Sequence, residues 1–108
     1  MARKKLETLT EQMYYVLLSL AGEPRHGYEI MQVASQLTGG RVVLGAGTLY
    51  ALLGRFEEEG YIFLCDTRER RKYYALTPVG KAALREEYDR LRQLVRDGAE
   101  VLEQEGLE

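Results

Sequence analysis

The fold is decided by the stretch Gly47-Thr48-Leu49-Tyr50-Ala51-Leu52-Leu53-Gly54-Arg55-Phe56-Glu57-Glu58-Glu59-Gly60-Tyr61-Ile62. Its apolar residues recur at positions i, i+3, i+4 and i+7, which is the spacing of one buried stripe on a helix. They are Leu49, Leu52, Leu53 and Phe56. The opposite side is small and nearly uncharged, and it carries Thr48, Ala51, Gly54 and Arg55, with Tyr50 at its edge. A side this slim fits either a DNA major groove or a second packing surface inside a helical core.

Two further helices are predicted before this stretch. A capping box at Thr8 and Glu11, or a cap at Thr10, begins the first helix. A second helix is predicted over residues 26–37. In the third helix, which contains the stretch above, Thr48 or a neighbour is the expected cap.

The pattern changes after residue 60. Residues 61–65 are rich in aromatic and β-branched side chains and predict a strand, residues 66–70 a polar turn, and residues 71–76 the return strand. Thr77-Pro78 then predicts the start of a long final helix, with threonine as the cap.

Three helices followed by a β-hairpin is the order of a winged helix-turn-helix, in which the third helix enters the major groove. We therefore expect a mainly α protein with a small β-hairpin. Residues 1–77 form a winged helix-turn-helix DNA-binding domain, and residues 78–108 form a long C-terminal dimerisation helix.

The charge of the chain is unevenly distributed. The formal net charge is −2 over 108 residues, yet residues 61–75 carry four basic and two acidic side chains, whereas residues 76–108 carry five basic and eight acidic ones. This distribution suits a protein with one face toward phosphate and another toward solvent or a partner.

The composition also bounds the compartment. A single cysteine excludes an intrachain disulfide. The sequence has neither an apolar run long enough to span a bilayer nor the apolar core of a signal peptide. We therefore expect a cytoplasmic protein that does not contact a membrane.

The third helix and the hairpin supply most of the candidate contacts to double-stranded operator DNA. From the helix they are Thr48, Tyr50, Ala51 and Arg55, and from the hairpin Arg68, Arg70, Arg71, Lys72 and Tyr74. Hydroxyl groups can donate to phosphates, an alanine can touch a thymine methyl group, and arginine is favoured in the minor groove. The alternatives are structural: Thr48 as a cap, Tyr50 as a partly buried core aromatic, and the hairpin tip as a solvated turn. Strand alternation also requires one of Tyr73 and Tyr74 to face the core.

The final helix has an apolar seam in heptad rhythm, which a short monomer leaves uncovered. The seam residues are Leu84, Tyr88, Leu91, Val95, Gly98 and Leu102, and Leu94 and Val101 widen it. The first helix would join it through Leu6, Leu9 and Met13. A second copy of the chain is the natural cover, so we expect a homodimer. The alternative is that the helix folds back onto its own winged domain.

A set of motifs, in this order and spacing, resembles the PadR-type transcriptional regulators. They are Leu9-Thr10-Glu11, Met13-Tyr14-Tyr15-Val16-Leu17, Arg25-His26-Gly27-Tyr28-Glu29-Ile30, Leu37-Thr38-Gly39-Gly40, Gly47-Thr48-Leu49-Tyr50, Glu57-Glu58-Glu59-Gly60 and Arg71-Lys72-Tyr73-Tyr74-Ala75-Leu76-Thr77. The single C-terminal helix resembles the short subfamily. The resemblance implies a dimeric DNA-binding repressor, often relieved by a small molecule. It also implies that Arg25 and His26, where the second helix begins, approach the DNA backbone.

Two positions depart from the family pattern. Ala46 stands where a proline is common, and Gly54 stands where a lysine or arginine is common. The glycine removes a phosphate contact and weakens the helix by about 1 kcal/mol relative to alanine. The departures predict a lower affinity for DNA or a different operator.

In some relatives the effector lies at the dimer interface against a tryptophan, which this chain lacks. Tyr15 and Tyr88 are the candidate replacements for a small-molecule effector pocket. No cofactor and no metal is expected, because one cysteine and one histidine do not form a ligand cluster. His26 is better interpreted as a cap or a phosphate contact.

Other classes of function find less support in the sequence. No nucleophile–base pair, phosphate loop or metal cluster indicates an enzyme. A winged-helix module that binds a protein instead of DNA remains the alternative, since the net charge is negative and Gly54 removes a basic position.

Overall fold

The computed structural model describes residues 8–106, which form four helices and a three-stranded antiparallel sheet. In chain order the elements are α1 (Glu11–Ser19), β1 (Arg25–His26), α2 (Gly27–Leu37), α3 (Ala46–Glu58), β2 (Ile62–Arg68), β3 (Arg71–Leu76) and α4 (Pro78–Glu105). The expected fold, three helices, a hairpin and a long final helix, is confirmed.

The sheet contains one strand that the sequence did not predict. Its strand order is β1-β3-β2, and the short β1 pairs antiparallel with β3, with Arg25 opposite Tyr74 and His26 opposite Tyr73. A strand of two residues has no period by which a pattern could reveal it. β1 ties the start of α2 directly to the hairpin.

The hairpin is longer and tighter than expected. β2 continues to Arg68, so the turn shrinks to Glu69 and Arg70, both at positive φ (49° and 66°). Two positive φ angles are those of a type I′ turn, whose twist matches that of the flanking strands. The register shifts between Leu64 and Asp66, which leaves Cys65 as the extra residue of a β-bulge.

Side-chain caps begin three of the helices. Thr10, and not Thr8, caps α1 by accepting from the Met13 amide at 3.2 Å. Thr77 caps α4 by accepting from the Gly80 amide at 2.9 Å. In α3 the cap position is Gly45, which makes no side-chain cap hydrogen bond. The prediction that Thr48 or a neighbour is the cap is therefore wrong for Thr48, which lies in the first turn and is exposed.

The core lies between α1, α2, α3 and the sheet. Its largest fully buried side chains are Phe56, Leu17, Ile30, Leu49, Leu53 and Val16. α3 contributes three of these, so its predicted apolar stripe is the buried one. Removing such side chains from water is worth about 1.5–3 kcal/mol each. Burial of this stripe fixes which side of α3 faces outward.

Gly80 marks the closest approach between α4 and the rest of the molecule. A Cβ atom at this position would stand 1.9 Å from the carbonyl oxygen of Tyr61. The same carbonyl accepts from the Thr77 amide at 2.9 Å, and the Thr77 hydroxyl donates to the Gly60 carbonyl. The entry to α4 and the start of the hairpin therefore share one backbone junction.

A buried carboxylate joins α4 to the segment before α1. Glu87 is 5% exposed and accepts two hydrogen bonds from Arg90, at 2.8 and 2.7 Å, and one from the Leu9 amide at 3.4 Å. The hydrogen bonds from Arg90 are the main reason that the pKa of Glu87 is lowered, while burial opposes the shift. The same pairing raises the pKa of Arg90.

Replacing Gly80 tests the junction. We expect Gly80→Ala to lower the free energy of unfolding by more than about 2 kcal/mol, because the backbone of Tyr61 must move to admit the methyl group. Gly54→Ala is the control, since its Cβ would meet nothing within 4 Å and alanine favours an exposed helix by about 1 kcal/mol. Urea unfolding followed by circular dichroism measures both. Equal stability of the two variants would contradict the junction.

Acid unfolding tests the Glu87 contact. A lowered folded-state pKa means that the interaction stabilises the fold above the ordinary carboxyl value of 4.5 and is lost as the pH falls through the lower folded value. We expect Glu87→Gln to be less stable than the parent at neutral pH and to lose less further stability on acidification. Glu100→Gln, at an exposed position on the same helix, should follow the parent curve. The measurement is urea unfolding at a series of pH values, and a Glu87→Gln curve parallel to the parent would refute the role of the ion pair.

Candidate nucleic-acid interface

The outward side of α3 lies at the surface. All five predicted or small residues on this side are exposed: Thr48, Tyr50, Ala51, Gly54 and Arg55. Arg55 makes no ion pair with another residue between 8 and 106. The alternative, that this side packs inside the helical core of the chain, is not what the structure shows.

Tyr50 lies across the first residue of α2. A Cβ atom on Gly27 would stand 2.8 Å from the Tyr50 hydroxyl oxygen and 3.2 Å from Cδ2 of Leu49. The tyrosine is still 57% exposed, so it is not the core aromatic that the alternative required. Gly27 therefore leaves room for the hydroxyl end of the Tyr50 side chain against the start of α2.

The basic residues of the hairpin differ in whether their charged groups contact other residues of the protein. Arg68 pairs with Asp66 at 2.7 Å, and its guanidinium lies 4.5 Å from the centre of the Tyr73 ring. Arg70 in the turn and Lys72 in β3 form no ion pair within the described part of the chain. Arg71 is turned toward α2, with Nη1 3.2 Å from Nε2 of His26. Arg70 and Lys72 are thus the cations most available to a phosphate.

Arg25 and His26 are engaged within the protein. Arg25 donates from Nε to the Ser19 carbonyl at 2.7 Å and pairs with Glu23 at 3.2 Å. His26 is only 6% exposed and caps α2, where its Nδ1 accepts from the Glu29 amide at 3.4 Å. Of the two predicted roles for His26, the structure supports the cap, and its burial argues against a direct contact with DNA.

Tyr74 must be removed from the set of DNA contacts. It is 6% exposed and belongs to the core cluster, and burial is the main cause that raises the pKa of its hydroxyl. Strand alternation left open which of the two neighbouring tyrosines faces inward. The structure assigns that place to Tyr74 and leaves Tyr73 partly exposed under Arg68.

A polar cleft of about 330 Å³ opens where α2, α3 and the hairpin meet. Its lining includes Gly27, Tyr50, Arg70, Arg71 and Lys72. Residues that are far apart in the sequence therefore form one surface, in which the amino-terminal end of α2 and three cations face the same space. Such a surface suits the sugar–phosphate backbone of DNA.

The effector pair of Tyr15 and Tyr88 stays a prediction. Tyr88 lines two surface hollows, of about 350 and 290 Å³, together with Tyr14. Tyr15 instead accepts a hydrogen bond from Arg41 at 3.1 Å. Helical spacing places both tyrosines beside the apolar stripe, and only the packing of α4 on α1 decides which one meets Tyr88. Burial is the largest cause that raises the pKa of the Tyr14 hydroxyl.

The candidate dimer residues fall into two groups. Leu9, Met13 and Leu84 are partly buried against the core of their own chain, so the fold-back alternative holds for the first turns of α4. Farther along α4 Leu91 is partly buried, and the apolar side chains that stay exposed are Tyr88 (42%), Leu94 (54%), Val95 (70%), Val101 (57%) and Leu102 (43%). Leu6 lies outside the described residues.

No group of three or more histidine, cysteine, aspartate or glutamate side chains within residues 8–106 could hold a metal ion. None of the helices in this range is long and apolar enough to cross a membrane.

Comparison with known proteins gives the surface its context. The model of the transcriptional regulator PadR-like family matches residues 16–86. The chain belongs to the PadR-like family. Protein X of Lysinibacillus sphaericus is 36% identical over 102 residues, covering 86% of this chain and 87% of that protein.

Two further similarities agree with this membership. A 37.1 kDa protein of transposon TN4556 from Streptomyces fradiae is 35% identical over 79 residues, which span 73% of this chain and 22% of that protein. A PadR-like transcription factor from Bacteroides fragilis superposes with a TM-score of 0.69 at 28% identity, over 82% of this chain and 87% of the other.

Membership assigns the general function. Proteins of the PadR-like family are DNA-binding transcriptional regulators, not enzymes, and this chain is a DNA-binding regulator of that kind. The exposed side of α3 and the polar cleft beside it are the candidate nucleic-acid interface of this PadR-like chain.

The contact between Gly27 and Tyr50 generates a prediction. We expect Gly27→Ala to displace the Tyr50 ring and to weaken DNA binding by about tenfold, the order of one lost hydrogen bond to a charged phosphate. The free energy of unfolding should change by less than about 1 kcal/mol, because a side-chain end can move where a backbone cannot. Fluorescence anisotropy with labelled upstream DNA measures the affinity.

Tyr50→Phe is the matched variant, since it removes the hydroxyl and keeps the ring. It should reproduce most of the loss. Full affinity of the Gly27→Ala protein would show that the position of Tyr50 does not matter for binding.

Proposed function

We propose that the protein is a homodimeric repressor that places two copies of α3 in successive major grooves of a pseudo-palindromic operator. The observation that carries the proposal is the exposed, slim side of α3 beside a cleft with three cations. A dimer places its two reading helices about one helical turn of DNA apart, which explains why operators of such proteins are palindromic. Binding near a promoter would block polymerase.

Within this proposal each predicted residue other than Tyr74 has a place. Thr48, Tyr50, Ala51 and Arg55 face the groove, and Arg70, Arg71 and Lys72 contact the backbone or the minor groove. Arg68 contributes charge while it stays on Tyr73. Arg25 and His26 do not contact DNA in this proposal. Their polar atoms bind other groups of the protein, and they support the interface from inside the domain.

The proposal assigns different roles to two parts of the chain. Residues 1–77 form the DNA-binding domain, and residues 78–108 supply the dimerisation helix. α4 has 28 residues and is about 42 Å long at 1.5 Å per residue. Its exposed apolar residues beyond the body of the domain match the heptad seam, and a second α4 would cover them.

A small molecule that enters the hollows beside Tyr14 and Tyr88 would relieve repression. These hollows lie between α1 and α4, so an occupant changes the angle of α4 to the winged domain. In a dimer that angle sets the spacing of the two α3 helices, and a ligand that prefers one spacing shifts the population toward it. The protein would act in the cytoplasm, where its operator is.

A titration of DNA across salt concentrations tests DNA binding by the hairpin. The probe is a labelled duplex from the region immediately upstream of the protein's own coding sequence. We expect Lys72→Ala to reduce the slope of log K against log salt by about one unit, because one phosphate contact is lost. Lys81→Ala, on α4, is the matched control and should leave the slope unchanged.

An identical slope for the parent and the Lys72→Ala protein would remove the hairpin from the interface. Absence of salt-dependent binding to any upstream fragment would favour the alternative, a winged helix that binds a protein. The net charge of −2 supports that alternative.

The seam of α4 is tested by a charge. Val95→Glu places a carboxylate where a partner helix would bury it, so we expect self-association to weaken by at least about tenfold. Gln93→Glu adds the same charge two residues away, off the seam, and should leave the dimer intact. Sedimentation velocity over a range of protein concentrations measures both. A parent protein that sediments as a monomer would contradict the proposal.

A further inference from the structure

His26 is surrounded by polar groups on every side, although it is only 6% exposed. Nδ1 lies 3.4 Å from the Glu29 amide, and Nε2 lies 3.2 Å from Nη1 of Arg71 and 3.6 Å from a carboxylate oxygen of Glu29. The ring meets that of Tyr73 edge to face, with 5.2 Å between centres. The histidine therefore joins the start of α2 to β3 of the hairpin.

The chemistry of imidazole does not allow both short contacts at once. A neutral imidazole has one nitrogen that accepts and one that donates. A backbone amide and a guanidinium can only donate, so the Glu29 amide and Arg71 compete for one acceptor. The contact with Arg71 is the shorter of the two and its donor is charged, and charge-assisted hydrogen bonds are the stronger kind.

α2 does not depend on Nδ1 alone. The second half of the capping box, in which the His26 amide donates to the Glu29 carboxylate at 3.2 Å, stays in place whichever nitrogen carries the proton. When Nε2 serves as the acceptor for Arg71, Nδ1 carries the proton and gives up the hydrogen bond from the Glu29 amide.

We propose that His26 is a positioning residue for Arg71. Neutral His26 accepts one guanidinium N–H at Nε2 and holds Arg71 at the mouth of the cleft, which leaves the other N–H groups for a DNA phosphate. A fixed guanidinium loses less conformational freedom on binding than a free one. The inference rests on the proposed contact between the hairpin and DNA.

Protonation removes the acceptor. An imidazolium has two donors and a positive charge, so it repels the guanidinium. The charged or titratable groups that face the ring are Glu29 from α2 and Arg71 and Tyr73 from β3. Tyr28, Tyr50, Arg70 and Lys72 line the same cleft, and Arg25, the chain neighbour, pairs with Glu23. The contribution of Arg71 to DNA binding is therefore lost when His26 is protonated.

A double-mutant cycle in DNA affinity tests the inference. The proteins are the parent, His26→Asn, Arg71→Ala and the double variant, and the probe is the labelled upstream duplex. Asparagine is a good helix cap but is too short to replace the imidazole at Arg71. Near pH 8 we expect Arg71→Ala to weaken binding about tenfold in the parent and only about twofold in the His26→Asn background.

Lys72→Ala is the matched control, because Lys72 is the neighbouring cation in the same cleft and the ring of His26 bonds Arg71 instead. It should weaken binding by the same factor in both backgrounds.

The pH arm needs no change at His26. The chain has one histidine, so its NMR signals identify a pH at which the ring is protonated in the folded protein. At that pH the penalty of Arg71→Ala in the parent should fall to about the twofold seen with His26→Asn, while the Lys72→Ala penalty stays the same. A purely structural role of the cap does not produce this difference.

The outcomes separate the two proposals. If the parent binds DNA and Arg71→Ala costs the same factor in both backgrounds and at both pH values, the positioning role of His26 is overturned and DNA binding stands. If the parent binds no DNA, both are overturned.

Discussion

Burial of one side of α3 is the constraint on which the rest of the structure depends. Leu49, Leu53 and Phe56 are anchored in the core, and a helix held along one stripe has no freedom to rotate about its axis. The small side is consequently presented to the exterior. Loss of these contacts would cost several kcal/mol. The orientation of the exposed side of α3 is therefore as stable as the domain itself.

A second set of contacts carries that orientation to the hairpin. β1 leads directly into α2 and pairs with β3. The start of α2 is therefore joined to the hairpin through one sheet. Tyr50 rests on Gly27 at the same end of α2. The three pieces that face the polar cleft are therefore not independent loops, and the spacing of the helix, the cap and the cations is set by backbone pairing and close packing rather than by exposed salt bridges, which are worth little.

Periodic features could be predicted from the sequence, and features that depend on one contact could not. The stripe of α3 and the Thr77-Pro78 start of α4 are local and repeated or chemically specific, so they were visible. β1 is too short to show a period. The choice of Tyr74 as the buried tyrosine and of Tyr14 as the partner of Tyr88 depends on how distant elements pack. In the candidate site, the residue types were predictable, but the engagement of His26 with Arg71 was not, since nothing in the spacing brings together residues 45 positions apart.

The turn at the tip of the hairpin has an unfavourable backbone conformation. Glu69 and Arg70 both adopt left-handed backbone angles. Glycine and asparagine adopt such angles readily, whereas other residues lose about 1 kcal/mol or more of stability there. Glycine or asparagine at these two positions would make the turn more stable. Replacing Arg70 in this way would also remove a positive charge from the tip, so the protein carries that charge at a cost in stability.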